Sequence, residues 1–304
     1  MDSSAYIRAL HEKYREPLQR MNEILIESIS DDFPSPQFLY GGKRLRPLAV
    51  LISGKAFRGY DEKLLKAALS VELIHATSLV HDDIIDEDAI RRNFPTLYSV
   101  FGKVIAVLSG DYLFVKALEM IYQAESRRIF REMLDAANLM VKGELEEEVL
   151  PVEERLKEDT YMEIIYKKTA SLFEFSFVAG GLMGGNDGKV ELLRKAGAGY
   201  GMAYQIADDC DDFMDEVEKG KITLPLIKVY DESLDALMNE PRALMEEVLR
   251  RGGLEMAVEE GIRYLETSMD MLDFDPELQG AFAPYYEYLR VRMKERLQKA
   301  NAGN

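Results

Sequence analysis

Three observations predict an all-α fold for this sequence. Apolar residues recur at helical spacing along almost the whole chain. Glycine and proline number only 21 and 10 among 304 residues, whereas the helix formers leucine, alanine, glutamate and methionine are common. Strand patterns are weak, and no linker rich in serine, glycine or proline marks a domain boundary. We therefore expect residues 1–304 to form one domain, a bundle of long helices around a central cavity or core.

Segments rich in turn residues separate the predicted helices. "DDFPSPQ" ends a first amphipathic helix over residues 4–30, and "GGKRLRP" at 41–47 is a glycine-led turn. That turn opens the next helix, because proline is tolerated in a first helical turn. Residues 62–81 are apolar on most faces, as expected of a helix in the middle of a bundle. Further helices are predicted at 97–123, 125–149, 156–182, 187–213, 224–235, 241–250, 254–270 and 277–299.

Composition limits the ligands and the location of the protein. The formal net charge is −17, so we expect no binding to nucleic acid or to anionic membrane surfaces. An anionic substrate would need metal ions or a local basic patch. The single cysteine, Cys210, excludes an intrachain disulfide and predicts a cytoplasmic location. We also expect no signal peptide and no transmembrane segment, since no uncharged apolar run reaches about 18 residues.

Two acidic motifs stand at the ends of apolar stretches. On a helix, residues four apart share a face, so each motif directs carboxylates to one side. Such carboxylates favour divalent cations, and hard oxygen ligands suit Mg²⁺ bridged to phosphates. The alternatives are a solvated acidic face and a calcium loop, but neither stretch has the glycine and ligand order of an EF-hand. The first acidic motif is Asp82, Asp83 and Asp86, and the second is Asp208, Asp209 and Asp212.

Basic residues cluster near these motifs despite the negative net charge. Each cluster alone is also compatible with a solvated surface, but together with the acidic motifs they indicate a site for two diphosphates. The clusters are Lys43, Arg44 and Arg46, then Arg91 and Arg92, and finally Lys167 and Lys168.

Six motifs occur in an order typical of one known family. They are "GGKRLRP", "HDDIIDEDAIRRNFPTLYSVFG", "GDYLF", "KTASLF", "GMAYQIADDCDDF" and "GKITLPL". From about residue 38 to 230 the chain resembles the trans-isoprenyl diphosphate synthases of the polyprenyl synthetase family. The resemblance implies an isoprenoid synthase-like helical bundle around a deep apolar pocket, usually as a homodimer. It also implies an Mg²⁺-dependent prenyltransferase that adds isopentenyl diphosphate head-to-tail to an allylic diphosphate.

The resemblance assigns the metal site to the two acidic motifs. Asp82, Asp86 and Asp208 would bind three Mg²⁺ ions, and these ions would hold the allylic diphosphate. The supporting carboxylates would be Asp83, Asp209 and Asp212.

The resemblance also divides the basic and polar residues between the two substrates. Arg91 would contact the allylic diphosphate. The loop "MDEVEKGKITLPL" is shorter than usual and lacks a lysine, so Lys221 or Lys219 would substitute unless the site is simply more open. The residues that hold isopentenyl diphosphate would be Lys43, Arg46, His75 and Arg92. The residues that face the reacting carbons would be Lys168, Thr169 and Gln205.

Small residues before the first acidic motif favour a long product. Synthases with short products generally carry an aromatic residue four or five positions before the first aspartate, whereas Ser78 and Thr77 stand here. Glu144 also matches the long-chain synthases, which often carry glutamate where shorter-chain enzymes carry glutamine. We therefore expect a product of C20 or longer, with Ile74, Phe114 or Met133 as candidates for the floor of the pocket.

Four alternatives stay open at this point. A C15 synthase would share every motif. A weakly catalytic partner subunit of a heteromeric synthase would usually have lost acidic motifs, and a terpene cyclase would usually carry an Asn/Ser/Glu pattern in place of the second one. An acidic helical scaffold without a ligand would leave the basic clusters unexplained.

Overall fold

The computed structural model confirms the all-α fold. It describes residues 2–29, 33–39, 41–58, 60–91, 93–185 and 187–302, with the backbone alone at 37, 55–58 and 299–302. Within these residues the only strands are two residues long each, β1 (Ile90–Arg91) and β2 (Phe94–Pro95), and they pair antiparallel. No helix in the described part of the chain is both long and apolar enough to cross a membrane.

The helices follow one another with short connections. Their bounds are α1 Ser3–Lys13, α2 Arg15–Ser28, α3 Leu45–Arg58, α4 Glu62–Ile85, α5 Leu97–Gln123, α6 Arg127–Val149, α7 Val152–Arg155, α8 Glu158–Ile165, α9 Ser171–Met183, α10 Val190–Asp211, α11 Phe213–Glu218, α12 Leu224–Ile227, α13 Pro241–Arg250, α14 Gly253–Asp270 and α15 Pro276–Ala302.

The chain divides into two compact units. The N-terminal unit comprises His11–Leu134 and Ser176–Val190, and the C-terminal unit comprises Met1–Leu10, Asp135–Phe175 and Glu191–Asn304. Each unit contains one acidic motif, so each is described separately below.

Helix α4 is the centre of the N-terminal unit. It packs against α2, α3 and α5, which explains why its sequence is apolar on most faces. The side chain of Asp61 caps its first turn by accepting a hydrogen bond from the Leu64 amide at 2.7 Å. A buried, well-capped helix of this kind gives the residues at its C-terminus a fixed position.

Aromatic side chains fill the core of the C-terminal unit. The rings of Tyr200 and Tyr285 lie 4.4 Å apart between centroids, and Phe173, Phe282 and Tyr286 surround them. A second apolar cluster includes Phe213 and Leu226 and follows the second acidic motif in sequence. Buried aromatic residues contribute large apolar areas, so this core holds α10 firmly.

Several predicted helices are interrupted in the structure, and one of them, predicted over 97–123, is broken at Gly102, whose φ is 80°. The helix expected over 4–30 breaks at Tyr14, whose backbone leaves the helical region and whose buried ring meets the edge of Tyr60. The helix expected over 224–235 ends at Ile227, and a 3₁₀ turn begins at Glu232. There the extended Asp231 accepts a hydrogen bond from the Ser233 amide, which caps the new turn instead of continuing the old helix.

Candidate active site

The first acidic motif lies at the C-terminus of α4. The Asp86 amide donates to the Asp82 carbonyl at 2.8 Å, so these two residues are one helical turn apart on the same face. A helix C-terminus carries partial negative charge, which makes carboxylates unfavourable there unless a cation compensates them. The position of the motif therefore favours a bound cation.

Asp83 points into the protein rather than outward. Its side chain is 1% exposed, and one oxygen accepts a hydrogen bond from Nε of Arg91 on β1. Burial raises the pKa of Asp83, although Arg91 opposes that effect. Its other oxygen, Oδ2, is buried without a hydrogen-bond partner among the described residues. Asp83 thus holds Arg91 close to the first acidic motif.

The "GGKRLRP" turn presents positive charge at the start of α3. Gly41 and Gly42 adopt left-handed conformations, and so does Arg44 with φ 52°. Arg44 turns inward, pairs with Glu72 at 2.8 Å and donates to the Leu39 carbonyl at 2.6 Å. Arg44 therefore secures the turn and is not available to a ligand, which corrects its place among the candidate anion-binding residues.

The other residues of this turn keep a position suited to anions. Lys43 is exposed, and its carbonyl accepts a hydrogen bond from Nε2 of His11 at 2.9 Å. Arg46 is half-buried in the first turn of α3, where the helix terminus carries partial positive charge. His75 lines a small cavity together with Gly41 and Arg44. Arg92, predicted to act beside them, lies outside the described residues.

The second acidic motif repeats the geometry of the first. The Asp212 amide donates to the Asp208 carbonyl at 2.9 Å, so these residues are also one turn apart at the end of a helix, α10. Asp212 is exposed, but partial desolvation of its carboxyl group raises its pKa, and the neighbouring Asp208 adds to that effect. A repeated pair of carboxylates with this spacing is suited to a hard divalent cation.

Arg292 on α15 is a neighbour that sequence reasoning missed. Its Nη2 lies 2.5 Å from an oxygen of Asp208, and its Nε lies 2.6 Å from Asp211. Its guanidinium group also lies over the ring of Tyr204 at 5.4 Å. Arg292 and Asp208 are 84 residues apart in sequence. No local sequence pattern could therefore have indicated that they pair.

Asp209 is the centre of a hydrogen-bond network. Its Oδ2 accepts from the Tyr161 hydroxyl at 2.6 Å, and its Oδ1 accepts from Nε2 of Gln205 at 2.7 Å. The Gln205 carbonyl oxygen in turn accepts from the Thr169 hydroxyl at 2.6 Å. Burial raises the pKa of Asp209 to about 7, while the donors Tyr161 and Gln205 oppose the shift. The network joins the "KTASLF" motif to the second acidic motif.

The "KTASLF" motif begins on a π turn, Tyr166–Ala170, between α8 and α9. The Ser171 amide donates to the carbonyl of Tyr166, five residues earlier. Such turns often occur at functional sites because they shift side chains off the regular helical positions. A Cβ atom on Gly143 would lie 2.9 Å from the Lys168 amide nitrogen, so α6 approaches this turn as closely as glycine permits.

Lys168 is held by carboxylates of α6. Its Nζ lies 2.8 Å from Glu144 and also pairs with Glu147. Burial acts to lower the pKa of Lys168, but the two carboxylates outweigh it and raise the pKa, so the side chain stays charged. The neighbouring Lys167 pairs with Glu146 and Glu163, both at 2.6 Å. Each of the two lysines is therefore held in position by two carboxylates.

Lys221 lies in the short loop after α11. Its amide donates to the Glu216 carbonyl at 2.9 Å, and its Nζ is 3.6 Å from the Glu216 carboxylate. Glu216 follows Asp212 by one turn, since its amide donates to the Asp212 carbonyl. The contact therefore links Lys221 to the segment that follows the second acidic motif.

The predicted site residues fall into two groups, one in each unit. The N-terminal unit holds Lys43, Arg46, His75, Asp82, Asp83, Asp86 and Arg91, and the C-terminal unit holds Lys168, Thr169, Gln205, Asp208, Asp209, Asp212 and Lys221.

The carboxylates suit an open Mg²⁺ site better than a site made only of protein ligands. No three acidic, histidine or cysteine side chains of the described residues form a metal site by themselves. Mg²⁺ commonly takes one or two carboxylates and completes its shell with water and phosphate oxygens. The paired carboxylates of each motif suit this mode of binding.

Comparison with known proteins identifies the family. The family model for polyprenyl synthetase matches residues 34–243. Octaprenyl diphosphate synthase of Haemophilus influenzae is 30% identical over 95% of this chain and 88% of that protein. Geranylgeranyl diphosphate synthase of Sulfolobus acidocaldarius is 32% identical over 86% of this chain and 90% of that protein.

A solved structure supports the same assignment. Polyprenyl synthase of Caulobacter crescentus CB15, in complex with calcium and isoprenyl diphosphate, has a TM-score of 0.83 and 25% identity. The match covers 93% of this chain and 97% of that chain. Divalent metal dependence is general for prenyltransferases of this kind. The chain belongs to the polyprenyl synthetase family, and it is a prenyltransferase.

Proposed function

We propose that the protein condenses isopentenyl diphosphate head-to-tail with an allylic diphosphate and releases diphosphate. The observation that carries the proposal is the pair of acidic motifs, each with two carboxylates one turn apart at the C-terminus of a helix. Basic residues accompany the motifs although the chain has a net charge of −17. Carboxylates for metal and cations for phosphate together suit two diphosphate substrates.

The reaction breaks the allylic C–O bond, and its electron pair leaves with the diphosphate. The double bond of isopentenyl diphosphate supplies the electrons for the new C–C bond, and loss of a proton restores a double bond. Bound Mg²⁺ supplies positive charge that stabilises the leaving diphosphate. We infer three such ions, held by Asp82, Asp86 and Asp208, from the resemblance to the family. Asp83, Asp209 and Asp212 support them.

The basic residues bind the two diphosphates. Arg91, whose Nε is fixed by Asp83, holds the allylic diphosphate, with Lys221 as a second contact. Lys43, Arg46 and His75 bind isopentenyl diphosphate near the start of α3, together with Arg92. The oxygens of Thr169 and Gln205 stabilise the allylic cation through their dipoles, and Lys168 lies beside them on the π turn.

We propose a product of C20 or longer. The Thr77 hydroxyl donates to the Leu73 carbonyl at 2.9 Å, and Ser78 is a small, half-buried residue. Neither side chain blocks a growing hydrocarbon tail as an aromatic ring would. The curated relatives named above make products in the range of C20 to C40, which supports the longer product. A silent partner subunit is not favoured, since both acidic motifs are intact.

We propose that the protein acts as a homodimer through α5. This helix exposes an apolar stripe, with Val100 57%, Val104 72%, Leu108 58% and Val115 52% exposed. The helix is broken at Gly102, whose φ is 80°, and after this break spacings of three or four residues and their multiples place Val104, Leu108 and Val115 on one face. Contiguous apolar surface of this kind is typical of protein interfaces. Between Val100 and Val115 the only charged residues are Lys103 and the exposed Asp111, so this surface carries little of the acidic charge of the chain.

A cytoplasmic location is also proposed. Cys210 is a buried free thiol, and the chain has no second cysteine to form a disulfide.

The proposed function is tested by incubation with labelled isopentenyl diphosphate and C5, C10, C15 or C20 allylic primers. With Mg²⁺ we expect labelled polyprenyl products of C20 or longer, and with a chelator we expect none. No extension of any primer in the presence of Mg²⁺ would refute the function.

A further inference from the structure

In the hydrogen-bond network around Asp209, every donor points toward the Asp209 carboxylate, directly or through Gln205. Tyr161 donates its hydroxyl hydrogen to Oδ2, and Gln205 donates from Nε2 to Oδ1. Thr169 then donates its hydroxyl hydrogen to the side-chain carbonyl oxygen of Gln205. All four side chains belong to the C-terminal unit, so the network is complete within one compact part of the chain.

The carboxylate sets this direction. In the structure Nε2 of Gln205 donates to Asp209, and this orientation is the one that the ionised carboxylate requires, because an ionised carboxylate only accepts hydrogen bonds. A reversed amide would place the Gln205 oxygen against the oxygen of Asp209, and the two acceptors would repel each other. The Gln205 oxygen therefore faces Thr169, and the Thr169 hydroxyl donates its single hydrogen to that oxygen. Any further neighbour of Thr169 meets only lone pairs.

This polarity suits the role of Thr169 and Gln205 in the proposed reaction. Oxygen atoms with their lone pairs turned outward stabilise positive charge, and charge of that sign develops on the allylic carbon. A hydroxyl that turned its hydrogen toward the carbon would have the opposite effect. The direction of the hydrogen bonds thus matters for the reaction as well as for packing.

The hydrogen bond from Tyr161 fixes the plane of the Asp209 carboxylate. With one donor, the Asp209 carboxylate could rotate about its Cβ–Cγ bond. With two donors, one on each oxygen, its plane is fixed. Tyr161 is itself fixed, because it is buried on α8 with Ile164 and Ile165 on the same short helix also buried.

Asp209 also differs from the other aspartates of the second acidic motif. It is buried and both its oxygens accept side-chain hydrogen bonds, whereas Asp208 is half-buried and Asp212 is exposed. Its carboxylate is thus committed to protein donors. Asp209 therefore supports the metal site by its position, through hydrogen bonds with protein donors, whereas the neighbouring Asp208 is the proposed metal ligand.

We propose that Tyr161 is a positioning residue that orients the Gln205 amide and the Thr169 hydroxyl through the Asp209 carboxylate. The inference rests on the proposed function for its effect on turnover, whereas its structural part stands independently.

The test compares Tyr161→Phe with Tyr286→Phe. Tyr286 is a matched control, because it is also fully buried in the C-terminal unit and its hydroxyl is bonded to Ser268 at 2.6 Å. Both variants lose one buried hydroxyl, and the melting temperature should fall somewhat more for Tyr161→Phe, because its hydroxyl bonds a carboxylate whereas that of Tyr286 bonds a neutral serine. For Tyr161→Phe we expect kcat to fall about 10-fold or more, since hydrogen bonds to charged groups are worth that much. The KM values for both diphosphates and the half-saturating Mg²⁺ concentration should stay within about twofold.

Two further measurements decide between this proposal and other roles. In crystals of Tyr161→Phe without substrates, the Gln205 amide should leave its contacts with Asp209 and Thr169 or occupy several orientations, and in Tyr286→Phe it should not. The double variant Tyr161→Phe, Asp209→Asn should be no slower than Asp209→Asn alone, because Tyr161 acts through Asp209.

Three results would overturn the proposal. They are an unchanged Gln205 in Tyr161→Phe, a kcat equal to that of Tyr286→Phe, and additive losses in the double variant. An inactive wild-type protein would instead refute the proposed function, and the crystallographic comparison would still decide the orientation of Gln205.

Discussion

At the scale of residues, we propose that Arg46 and Arg91 bind different diphosphate substrates. Arg46 begins α3 beside Lys43, and Arg91 is held by Asp83 next to the first acidic motif. Loss of a charge-assisted contact should cost about 1.5–3 kcal/mol, or about 10- to 100-fold in affinity. We expect Arg46→Ala to raise the KM for isopentenyl diphosphate by this factor and to leave that for the allylic primer nearly unchanged.

The opposite pattern is expected for Arg91→Lys. Lysine retains the charge, so the buried Asp83 keeps a cationic neighbour, but the forked guanidinium contact is lost. The KM for the allylic primer should rise and that for isopentenyl diphosphate should not. Steady-state kinetics with each substrate varied in turn provide the measurement. Equal changes for both substrates in both variants would contradict the assignment.

The sequence predicted residues that act through local motifs better than residues that act across the fold. Asp83 and Arg91 are eight residues apart, so their proximity followed from one motif. Arg292 and Tyr161 were not predicted as neighbours of Asp208 and Asp209, because 84 and 48 residues separate the partners. Only packing of separate helices brings such pairs together, and no spacing rule within one helix contains that information.

At the scale of elements, the approach of α6 to the π turn can be tested at Gly143. A Cβ atom there would lie 2.7 Å from Cβ of Lys167 and 2.9 Å from the Lys168 amide nitrogen. Gly143→Ala should therefore lower the free energy of unfolding by about 1–3 kcal/mol. It should also reduce turnover, since the π turn carries Lys168 and Thr169. Denaturant unfolding and kinetics measure the two effects.

Gly280 provides the matched control for that substitution. It is an exposed glycine within α15, and an added Cβ would meet nothing within 4 Å. Gly280→Ala should raise the free energy of unfolding by about 0.5–1 kcal/mol, as expected for an exposed helical position. If both alanine variants behaved alike, the close packing of α6 on the π turn would not be real.

Helix α4 offers a test of product length at Ser78. Ser78 lies one turn before Asp82 and is half-buried. A phenyl ring at this position should shorten the main product toward C15, while the first condensation continues. Ile26→Phe on the exposed face of α2 is the control. Chromatography of the products at matched primer concentrations measures the change, and an unaltered distribution would show that the tail does not pass this face.

Thr77 is a less suitable position for the same test. Its hydroxyl lies 3.4 Å from the Gly110 carbonyl of α5, and the side chain is buried. A phenyl ring would therefore collide with the backbone of α5, so we expect Thr77→Phe to lose stability as well as product length.

Most elements followed from sequence patterns, and the exceptions have identifiable causes. Helix α4 was predicted over 62–81 and extends from Glu62 to Ile85, and the buried side chains of Asp83 and Ile84 continue its packed face past the predicted end. The π turn at Tyr166–Ala170 was not predicted. Its sequence has ordinary helical spacing, and the structure packs this turn closely against Gly143 on another helix. Local spacing cannot show a contact of this kind.

At the scale of the whole molecule, the apolar stripe on α5 predicts the oligomeric state. Val104→Glu places a carboxylate in the centre of the stripe, where a second copy would have to desolvate it. We expect the wild type to sediment at twice the chain mass of 34.7 kDa and the variant to sediment as a monomer. Ile26→Glu, at an exposed apolar position on α2, should leave the dimer intact. A monomeric wild type, or a dimeric Val104→Glu variant, would rule out this interface.

The all-α fold was the most predictable property of the whole chain. It depends on helical periodicity repeated over many segments, so one misplaced boundary such as that at Tyr14 does not alter the result. The division into two compact units was not visible, because several helices contribute residues to both units and no linker separates them.

We propose that the acidic motifs of both units serve one reaction. The most direct measurement is the rate of condensation, at saturating Mg²⁺ and substrates, for Asp82→Ala, Asp208→Ala and the control Asp270→Ala. Asp270 is exposed at the end of α14, outside both motifs. We predict that each motif variant keeps its helical circular dichroism and loses turnover by about 10²–10³-fold or more, since the leaving diphosphate loses counter-charge. The control should retain the wild-type rate. A folded Asp82→Ala or Asp208→Ala variant with a near-normal rate would contradict the account.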